Sequence, residues 1–476
     1  MADHVLALDL GTTGVRAQVL DAAGRVVGSA YARLTVATPG PDRVEQDAED
    51  YLRQGLAVLR HALGEAGLDA REVRALGIVS QRASAVAWDA ESGRPLAPVL
   101  GWQDRRTLQR VRALQQHGVP VNTLAACTKF EWLLQEAPAV ADAATRGTLR
   151  LGTPDAWLGW ALSDGAAHVT DPSSAGATGF FDAERGDWFE PALALFGQDR
   201  SWHPRLVATD AVVAETDRRH LGATVPLAAR AGDQQAACFA QGVRRAGDAK
   251  LTLGTSAMLD RCTGNVYAEA PRGAHALPLW RRLEGGDAFC VEGTVLTAGA
   301  AVEWLHRAGV LPELDALDPL AEAGRPGVTF VPALAGLGTP RLDDRVRGRL
   351  DGIGLDTGAA EIVRAVLEGI AQRVADVAGT LAVEGRLRVD GGLARSRFLI
   401  QAIADLTGLE VAVAADLETT ARGAAALAAA SPEVAGDPLP EPEPARRVAP
   451  TPGAAVTREE RRQRWQERLA ALVEGR

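Results

Sequence analysis

Near its beginning the chain alternates short apolar runs with turns that contain glycine. The apolar run Val5–Leu10 ends in the turn GTTG, and the runs Val15–Leu20 and Val26–Tyr31 follow, separated by the turn Asp21–Arg25. Short apolar runs bounded by turn residues are typical of β-strands. The pattern therefore predicts a β-meander at the start of the chain.

Farther along, segments with helical periodicity alternate with further apolar runs. Such alternation of helices and strands favours the α/β class. The predicted helices are Tyr51–Ala66, the part of Ala231–Gly242 after the polar turn GDQQ, one from about Thr297, and Ala359–Leu381, and the predicted strands are Ala75–Gln81, one in Leu251–Met258, and Leu387–Gly392.

One short motif occurs twice in the chain. LDLGTTGVR at Leu8–Arg16 and LTLGTSAM at Leu251–Met258 each lead from a strand into a glycine turn. The 476 residues exceed what one hydrophobic core usually serves. The repeated motif suggests a duplicated domain, and a domain that faces its copy would place both turns on one cleft. We expect two domains, residues 1–245 and 246–430, with the boundary at about Val243–Asp248.

Residues 431–476 have a different composition from the rest. Ser431–Gly453 is rich in proline, which removes backbone donors and fixes φ, so we predict neither helix nor strand there. The charged segment Thr457–Glu474 is predicted to be a last helix. This region is therefore expected to be a linker followed by a C-terminal helix.

Composition and charge exclude several functional classes. The fractions of hydrophobic residues, 47%, and charged residues, 24%, are usual for a globular protein. A net charge of −10 disfavours a general nucleic-acid-binding protein. No apolar run approaches the ~18 residues of a membrane helix, and the N-terminus lacks the pattern of a signal peptide. We expect a cytoplasmic protein that binds neither nucleic acid nor membrane.

Neither the cysteines nor the histidines have the spacing of a metal site. The cysteines are far apart without a CxxC pair, so no disulfide framework or zinc site is indicated. We expect buried, reduced thiols, and histidines that lie in the core or on the surface. These residues are Cys127, Cys238, Cys262 and Cys290, and His168, His203 and His306.

The first glycine turn carries candidate phosphate ligands. Gly11 lets the backbone approach a phosphate, the hydroxyls of Thr12 and Thr13 can donate to its oxygens, and Arg16 adds positive charge. Asp9, at the end of the strand, can hold a hydrated Mg²⁺. The chain contains neither a GxxxxGK[ST] loop nor a protein-kinase glycine loop with a downstream HRD. A cleft of the actin and sugar-kinase type remains.

These motifs, together with a series of others, resemble the FGGY carbohydrate kinases in family order. The resemblance extends from Val5 to about Ala430. Besides the two glycine turns, the matching segments are VEQD at Val44–Asp47, SQRASAVAWD at Ser80–Asp89, GWQDRRT at Gly101–Thr107, TKFEWLL at Thr128–Leu134, GTPDAWL at Gly152–Leu158, AGDQQAA at Ala231–Ala237, VEGTVLTAGAAVEWL at Val291–Leu305, FVPALAGLGTP at Phe330–Pro340, GRLDGIGL with AEIVRAVLEGI within Gly348–Ile370, and VDGGLARSRFLIQ at Val389–Gln401.

The resemblance implies an α/β protein of two actin-like (ribonuclease H-like) domains with an interdomain cleft that closes on ATP, Mg²⁺ and a sugar or polyol. It implies transfer of the γ-phosphoryl group to a substrate hydroxyl, with Asp233 of the GDQQ turn as general base and Asp9 as the metal-associated carboxylate. Ser396 stands where the family usually has Asn. The implied nucleotide ligands are Thr12, Thr13, Arg16, Gly254, Thr255, Gly299, Glu303, Gly391, Gly392 and Ser396.

Within the family, the substrate segments are most similar to the glycerol kinases. Arg82, Trp102, Asp233 and Gln234 stand where those enzymes hold glycerol. The next substrate position is Glu in glycerol kinases and Ala83 here, and a tyrosine before TK is replaced by Leu124. Losing a carboxylate and a phenol leaves a larger, less polar pocket.

The changed pocket leaves several substrates and functions open. We expect a polyol or ketose other than glycerol, or glycerol used poorly; a glycerol kinase proper and a xylulokinase-like pentulose kinase are alternatives, although the QMHG stretch usual in xylulokinases is replaced by SQRAS. A nucleotide-binding or sugar-binding sensor that has lost turnover is the alternative from a different class. A homodimer is compatible with the sequence, which does not determine the oligomeric state.

Overall fold

The structure, a computed structural model, describes residues 3–474. It divides into two compact units, each formed by three segments of the chain. The first unit contains the residues up to Gly242, Leu277–Ala288 and Thr419–Glu441, and the second contains Val243–Ala276, Phe289–Glu418 and the residues from Pro442 onward.

Strands and helices alternate up to Gly242. The strands are β1 (His4–Leu10), β2 (Gly14–Leu20), β3 (Val26–Arg33), β4 (Glu45–Gln46), β5 (Val73–Ser80), β6 (Val86–Asp89), β7 (Val99–Leu100), β8 (Leu149–Gly152), β9 (Val169–Thr170), β10 (Phe181–Asp182), β11 (Asp187–Trp188), β12 (Arg205–Leu206) and β13 (Leu227–Gly232). The α-helices are α1 (Ala48–Ala66), α2 (Leu108–Gln116), α3 (Cys127–Glu136), α4 (Pro138–Arg146), α5 (Pro154–Leu162), α6 (Pro172–Gly176), α7 (Glu190–Leu195), α8 (Arg218–Leu221) and α9 (Asp233–Ala240).

The alternation continues in the rest of the chain. The strands are β14 (Ala249–Leu253), β15 (Ala257–Gly264), β16 (His275–Arg282), β17 (Gly286–Val295), β18 (Thr329–Val331), β19 (Arg349–Asp351), β20 (Arg386–Asp390), β21 (Glu410–Val413) and β22 (Arg446–Val448). The α-helices are α10 (Gly299–Arg307), α11 (Leu317–Ala323), α12 (Ala359–Thr380), α13 (Arg397–Thr407), α14 (Thr419–Ala429) and α15 (Ala454–Glu474). Short 3₁₀ helices cover Ala70–Glu72, Arg200–Trp202, Leu314–Ala316 and Gly392–Arg395.

A five-stranded sheet organises the first unit, in the order β13-β5-β1-β2-β3. β1, β2 and β3 are antiparallel neighbours, which confirms the predicted meander, whereas β5 and β13 run parallel to β1. The side chains of Leu8, Tyr51 and Leu59 belong to one buried apolar cluster, so α1 packs its apolar face on this sheet. Burial of apolar area on the sheet is the main source of stability for such a layer.

A seven-stranded sheet has the order β16-β17-β15-β14-β20-β21-β22. β14 runs parallel to β20 and antiparallel to β15. The predicted helix over Ala359–Leu381 is confirmed as α12, and Val366, Ile370 and Val374 on it are completely buried. Strands β14, β15, β17, β20 and β21 of this sheet and helix α12 contribute to the core of the second unit.

The prediction for the proline-rich segment is wrong at Arg446–Val448, which form strand β22. This strand pairs antiparallel with β21, so that Val448 lies opposite Val411 and Arg446 opposite Val413. Its prolines flank the strand and do not interrupt it, because an edge strand tolerates proline only outside the hydrogen-bonded positions. The last helix begins at Ala454, directly after Gly453, and not at Thr457.

The cysteines and histidines take the places that the sequence predicts. All four cysteines are buried free thiols. His168 packs edge-on to Trp88, and His203 packs against Phe180. Burial lowers the pKa of His168 to about 4 and that of His203 to about 3, so both rings are neutral core residues at pH 7. Within the residues the structure describes, no helix is long and apolar enough to cross a bilayer.

Candidate active site

Three parallel strands of the first unit end at the same level of the sheet. Leu10 of β1 pairs with Ser80 of β5, and Ser80 pairs with Gly232 of β13. Because parallel strands point the same way, the residues that follow these three positions emerge at the same edge of the sheet. Ligands of open α/β sheets bind outside the carboxyl ends of the strands. The register therefore brings the first glycine turn, the loop after Ser80 and Asp233 to one edge.

Asp233 and Arg82 form the charged pair of this edge. Asp233 is the first residue of α9, and its Oδ1 lies 3.8 Å from Nε of Arg82. The same oxygen accepts a hydrogen bond from the Gln234 N–H at 2.8 Å. The side chain of Asp233 is 30% exposed and that of Arg82 is 14% exposed. The carboxylate is thus held in place and is still reachable from solvent.

Gly232 allows this pair to form. A Cβ atom at Gly232 would lie 2.7 Å from Cγ of Arg82 and 2.6 Å from Oε1 of Gln235. Real Cβ contacts are longer, so any other residue would displace the Arg82 side chain. The close approach of Arg82 to the backbone, and not the backbone angles, is therefore what requires glycine at this position.

A buried lysine hydrogen-bonds to the backbone of the loop that follows β5. Nζ of Lys129 donates to the carbonyl oxygens of Ala83 at 3.0 Å and Thr123 at 3.3 Å. Lys129 is completely buried, and this burial lowers the pKa of its ammonium group to about 8. Ala83 is buried too and has φ of 60°, a left-handed conformation that is uncommon outside glycine. Lys129 belongs to the family motif TKFEWLL, but the motif alone does not predict that its side chain bonds to this loop.

Trp102 connects two loops of the edge. Its backbone N–H donates to Oγ of Ser84 at 3.0 Å, and its indole Nε1–H donates to Oγ1 of Thr12 at 2.9 Å. A threonine hydroxyl that accepts one hydrogen bond keeps its own hydrogen to donate. Two predicted site residues, Trp102 and Thr12, are therefore in direct contact, and Thr12 can still donate to a phosphate oxygen.

Gln46 is a second residue whose position in the site was not predicted. Its amide nitrogen Nε2 donates to the carbonyl oxygen of Thr12 at 2.7 Å. Its Oε1 accepts from the Tyr51 hydroxyl and from Nε2 of Gln81, both at 2.8 Å. All three of these side chains are buried. The segment VEQD was recognised as a family motif, yet the motif alone does not reveal that its glutamine fixes the glycine turn.

Asp9 and Arg16 face each other across the first hairpin. They are cross-strand partners of β1 and β2, and the turn between them closes through the bond from the Gly11 N–H to the Gly14 carbonyl at 2.9 Å. Both side chains are half-buried. The guanidinium of Arg16 lies 5.4 Å from the centre of the Tyr31 ring, within range of a cation–π contact. Thr13, at the tip of the turn, is exposed.

The donor set at this edge suits a hydrated Mg²⁺. In the described part of the chain, no group of three or more His, Cys, Asp or Glu side chains could enclose a metal ion. Mg²⁺ usually keeps several waters and binds through one or two carboxylates together with substrate phosphates. The half-buried carboxylate of Asp9, beside the first glycine turn, fits that chemistry.

In the second unit, the turn after β14 is joined to the start of α10. The Gly299 N–H donates to the Gly254 carbonyl at 2.9 Å, and the N–H groups of Ala298 and Ala300 donate to the Thr255 carbonyl at 3.0 Å. The side chain of Thr255 is exposed, as is Glu303, one turn farther along α10. Gly254, Thr255 and Gly299 are thus brought together by backbone hydrogen bonds.

The double glycine after β20 lies beside the same turn. Thr252 of β14 pairs with Asp390 of β20, so both strands end at one edge. Gly391 has φ of 88°, and a Cβ atom there would lie 2.6 Å from the Leu253 carbonyl oxygen. Gly391 therefore needs both the left-handed conformation and the absence of a side chain. Gly392 is exposed.

Ser396, the last predicted nucleotide residue, caps a helix. Its Oγ accepts from the Leu399 N–H at 3.1 Å at the start of α13 and hydrogen-bonds to the Asp318 carboxylate. Its side chain is buried. The hydroxyl thus has two protein partners, and a role in nucleotide binding stays a prediction.

Comparisons with known proteins agree on one family. The chain matches the N-terminal domain of the FGGY family of carbohydrate kinases over residues 4–240 and its C-terminal domain over residues 249–431. It is 41% identical over 442 residues to the glycerol kinase of Dechloromonas aromatica, with 89% of this chain and 88% of that protein covered.

Solved structures show the same fold. Plasmodium falciparum glycerol kinase with ADP gives a TM-score of 0.90 at 22% identity, with 98% of both chains covered. The xylulose kinase from Rhodospirillum rubrum gives 0.85 at 22% identity, with 98% of this chain and 99% of that chain covered. Together with the domain matches, these similarities confirm the predicted α/β fold with two actin-like (ribonuclease H-like) domains.

Proposed function

Since the chain belongs to the FGGY family of carbohydrate kinases, we propose that it phosphorylates a hydroxyl of a small polyol or ketose other than glycerol. The family consists of phosphotransferases that use an alcohol group as acceptor and ATP as donor. The observation that carries the proposal is the partly exposed carboxylate of Asp233 beside Arg82, at the carboxyl edge of a parallel sheet.

Asp233 is the proposed general base. As the acceptor oxygen bonds to the γ-phosphorus atom, the bond from that atom to the β–γ bridging oxygen breaks and ADP leaves, while Asp233 takes the proton that the acceptor oxygen loses. Its Oδ1 accepts a hydrogen bond from the Gln234 N–H and lies 3.8 Å from Nε of Arg82, and its side chain is 30% exposed. Arg82, Gln234 and Trp102 are the proposed ligands of the acceptor's other hydroxyls and of its carbon chain.

The remaining site residues are proposed to bind the phosphates and the base of ATP. In the first unit, Thr12 and Thr13 donate hydrogen bonds, Arg16 supplies positive charge, and Asp9 holds Mg²⁺ through water. When bound, Mg²⁺ neutralises charge on the phosphate oxygens. The nucleotide ligands proposed in the second unit are Gly254, Thr255, Gly299, Glu303, Gly391, Gly392 and Ser396.

The acceptor is proposed to be larger or less polar than glycerol because of Ala83. The glycerol kinases that the chain resembles carry Glu at this position, which offers a hydrogen-bond acceptor to a hydroxyl. Ala83 has only a methyl group, and its carbonyl already accepts from Nζ of Lys129. A site that has lost a hydrogen-bond acceptor no longer selects for the substrate hydroxyl that would donate to it.

A coupled ADP-release assay tests the proposal directly. The panel should contain triols, tetritols, pentitols, ketopentoses and hexonates, each with ATP and Mg²⁺. We expect one of the larger acceptors to give a kcat/KM above that of glycerol. If glycerol is the best acceptor, the chain is a glycerol kinase proper; if none is phosphorylated, the sensor hypothesis replaces the kinase proposal.

Replacing Ala83 with Glu should change acceptor preference. We expect kcat/KM for glycerol to rise about tenfold or more and that for the best larger acceptor to fall by a similar factor, because a hydrogen-bonding site discriminates strongly against a mismatched ligand. Ala83→Met is the matched control, since it carries the same strain at φ of 60° and fills space without an acceptor. If both variants shift the preference alike, volume and not hydrogen bonding determines it.

Replacing Gly391 with Ala should weaken ATP binding in the second unit. A Cβ atom 2.6 Å from the Leu253 carbonyl forces the turn to move, and the left-handed backbone adds about 1–2 kcal/mol of strain. We expect a lower Tm and a rise of about tenfold in KM for ATP. Gly379→Ala in α12 is the control, because a Cβ atom there has no contact within 4 Å and helix propensity favours Ala. Equal KM values for ATP in the two variants would contradict the assignment.

A further inference from the structure

A chain of buried hydrogen bonds ends at the peptide that precedes Asp233. The Gly232 N–H donates to Oγ of Ser173 at 2.8 Å, and this oxygen lies 2.8 Å from both carboxylate oxygens of Asp171. Ser173 is 1% exposed and Asp171 is completely buried. Hydrogen bonds at this depth are shielded from solvent and are stronger than the same bonds at the surface.

In this series of hydrogen bonds, the donor and the acceptor of each bond can be assigned. The Asp171 carboxylate also accepts from the Ser174 N–H at 3.0 Å and from the Thr209 hydroxyl at 2.8 Å. Burial raises the pKa of Asp171 to about 6, so the group is ionised at pH 8 and can only accept. The Ser173 hydroxyl must therefore donate to Asp171, which leaves its lone pairs to accept from Gly232.

Gly232 connects this series of hydrogen bonds to both charged groups of the site, Asp233 and Arg82. It is the last residue of β13 and directly precedes α9, whose first N–H groups have no partner within the helix. Its amide is anchored on Ser173, and a Cβ atom built on it would lie 2.7 Å from Cγ of Arg82, so the Arg82 side chain passes close to this residue. Because Asp233 is the next residue, a displacement of the Gly232 peptide would displace the backbone of Asp233.

We propose that Ser173, held by Asp171, is a positioning residue that fixes the Asp233 carboxylate for proton transfer from the acceptor hydroxyl. The inference rests on the proposed role of Asp233 as general base. Ser173 is buried beneath the end of the strand and acts through the Gly232 peptide. Because a displacement of about 1 Å in a catalytic group can cost about 10²-fold in rate, the anchor matters more for kcat than for substrate binding.

The variant Ser173→Ala tests the role of the anchor. We expect kcat to fall about 10-fold to 30-fold while the acceptor KM changes by less than about threefold. Ser174→Ala is the matched control: Ser174 is equally buried, and its hydroxyl has no hydrogen bond within the described residues. The control should keep the wild-type kcat. Equal kcat values for Ser173→Ala and the wild type would overturn the proposal.

The background of Asp233→Asn separates positioning from general structural support. If Ser173 acts through the base, adding Ser173→Ala to Asp233→Asn lowers the residual rate by less than about twofold, because the effects of residues that act as a unit are not additive. A further loss as large as in the wild type would overturn the proposal. If Asp233→Asn alone keeps full activity, the assignment of the base fails, which is a different result.

A second variant covers the case in which Ser173→Ala does not fold. Ser173→Cys has nearly the same size and a thiol that donates and accepts weakly. We expect a folded enzyme whose kcat lies between those of the wild type and the alanine variant, with the acceptor KM within about threefold of the wild type. A wild-type kcat in Ser173→Cys, or a loss confined to KM, would overturn the proposal.

Discussion

Replacing Asp233 with Asn should lower kcat for the best acceptor about 10³-fold, because removal of a general base typically costs about 10²–10⁴-fold. Asn has the same shape, and its side-chain oxygen can still accept from the Gln234 N–H, so the start of α9 is preserved. The acceptor KM should rise by less than about tenfold, since Arg82 and Trp102 remain. Initial rates of ADP release with and without acceptor measure both constants.

Asp217→Asn provides the control for this substitution. Asp217 caps α8 in the first unit, and its carboxylate accepts from the Arg219 N–H at 2.8 Å. It is thus an aspartate at a helix start, like Asp233, but outside the proposed site. We expect wild-type kcat and KM from Asp217→Asn. A kcat for Asp233→Asn within about threefold of the wild type would show that another group takes the proton.

Local signals in the sequence account for the elements predicted from it. The β1–β2 hairpin was predictable because its apolar runs and its glycine turn are contiguous. Helix α1 begins at Ala48, before the predicted Tyr51, since the Asp47 carboxylate caps it by accepting from the Glu49 N–H. Helix α10 begins at Gly299 and not at Thr297, because the Thr297 hydroxyl bonds instead to the Pro332 carbonyl. Both differences come from side-chain bonds at a helix start.

Strand β22 shows where local reasoning fails. Nothing in the composition of Ser431–Gly453 predicts a strand, because the strand exists only through its partner β21, far away in the sequence. The free edge of β21 offers unpaired N–H and C=O groups, and residues 446–448 satisfy them. Formation of such an edge depends on the finished sheet, which a local pattern does not contain.

In the candidate site too, features that depend on neighbouring residues were predictable, and contacts between residues far apart in the sequence were not. The loops that carry Thr12 and Arg82 were predictable because each follows an apolar strand, whereas Asp233 is indicated by the GDQQ turn of the family motif. The buried residues that fix these loops were not, since Gln46, Lys129 and Ser173 bond to backbone groups 34, 46 and 59 residues away. A side chain that bonds to a peptide group needs no particular residue type at the other end. No pair of complementary residue types in the sequence therefore indicates such a hydrogen bond.

The two glycine turns have similar sequences but differ in charge. In the first, Asp9 faces Arg16 across the hairpin, whereas in the second the equivalent Thr252 faces Met258. The first hairpin thus carries a carboxylate and a cation at the turn, and the second carries neither at those positions. This difference supports the assignment of Mg²⁺ to the first turn and of phosphate contacts to both.

The C-terminal helix is held on the second unit by one buried carboxylate. Asp376 of α12 accepts from Arg373 in its own helix, and from Arg462, Trp465 and Gln466 of α15. Arg373 is 1% exposed, and burial lowers the pKa of its guanidinium even though Asp376 opposes the shift. Trp465 also belongs to a buried apolar cluster with residues 331–346. Asp376 therefore accepts from three side chains of α15, beside the Gln372 and Asp405 carbonyls, which accept from Arg462 and Arg458.

Replacing Asp376 with Ala should destabilise the second unit by about 3–5 kcal/mol, because a buried cation loses its counter-ion and α15 loses its shared acceptor. At about 2–4 °C per kcal/mol for a domain of this size, Tm should fall by roughly 6–20 °C in thermal unfolding. Glu410→Ala is the control: Glu410 pairs with Arg386 at the surface, where an ion pair contributes about 0–1 kcal/mol. The double variant Asp376→Leu with Arg373→Met should recover part of the loss, since it removes the unpaired charge of the fully buried Arg373. A Tm for Asp376→Ala as high as that of Glu410→Ala would show that α15 docks through its apolar contacts alone.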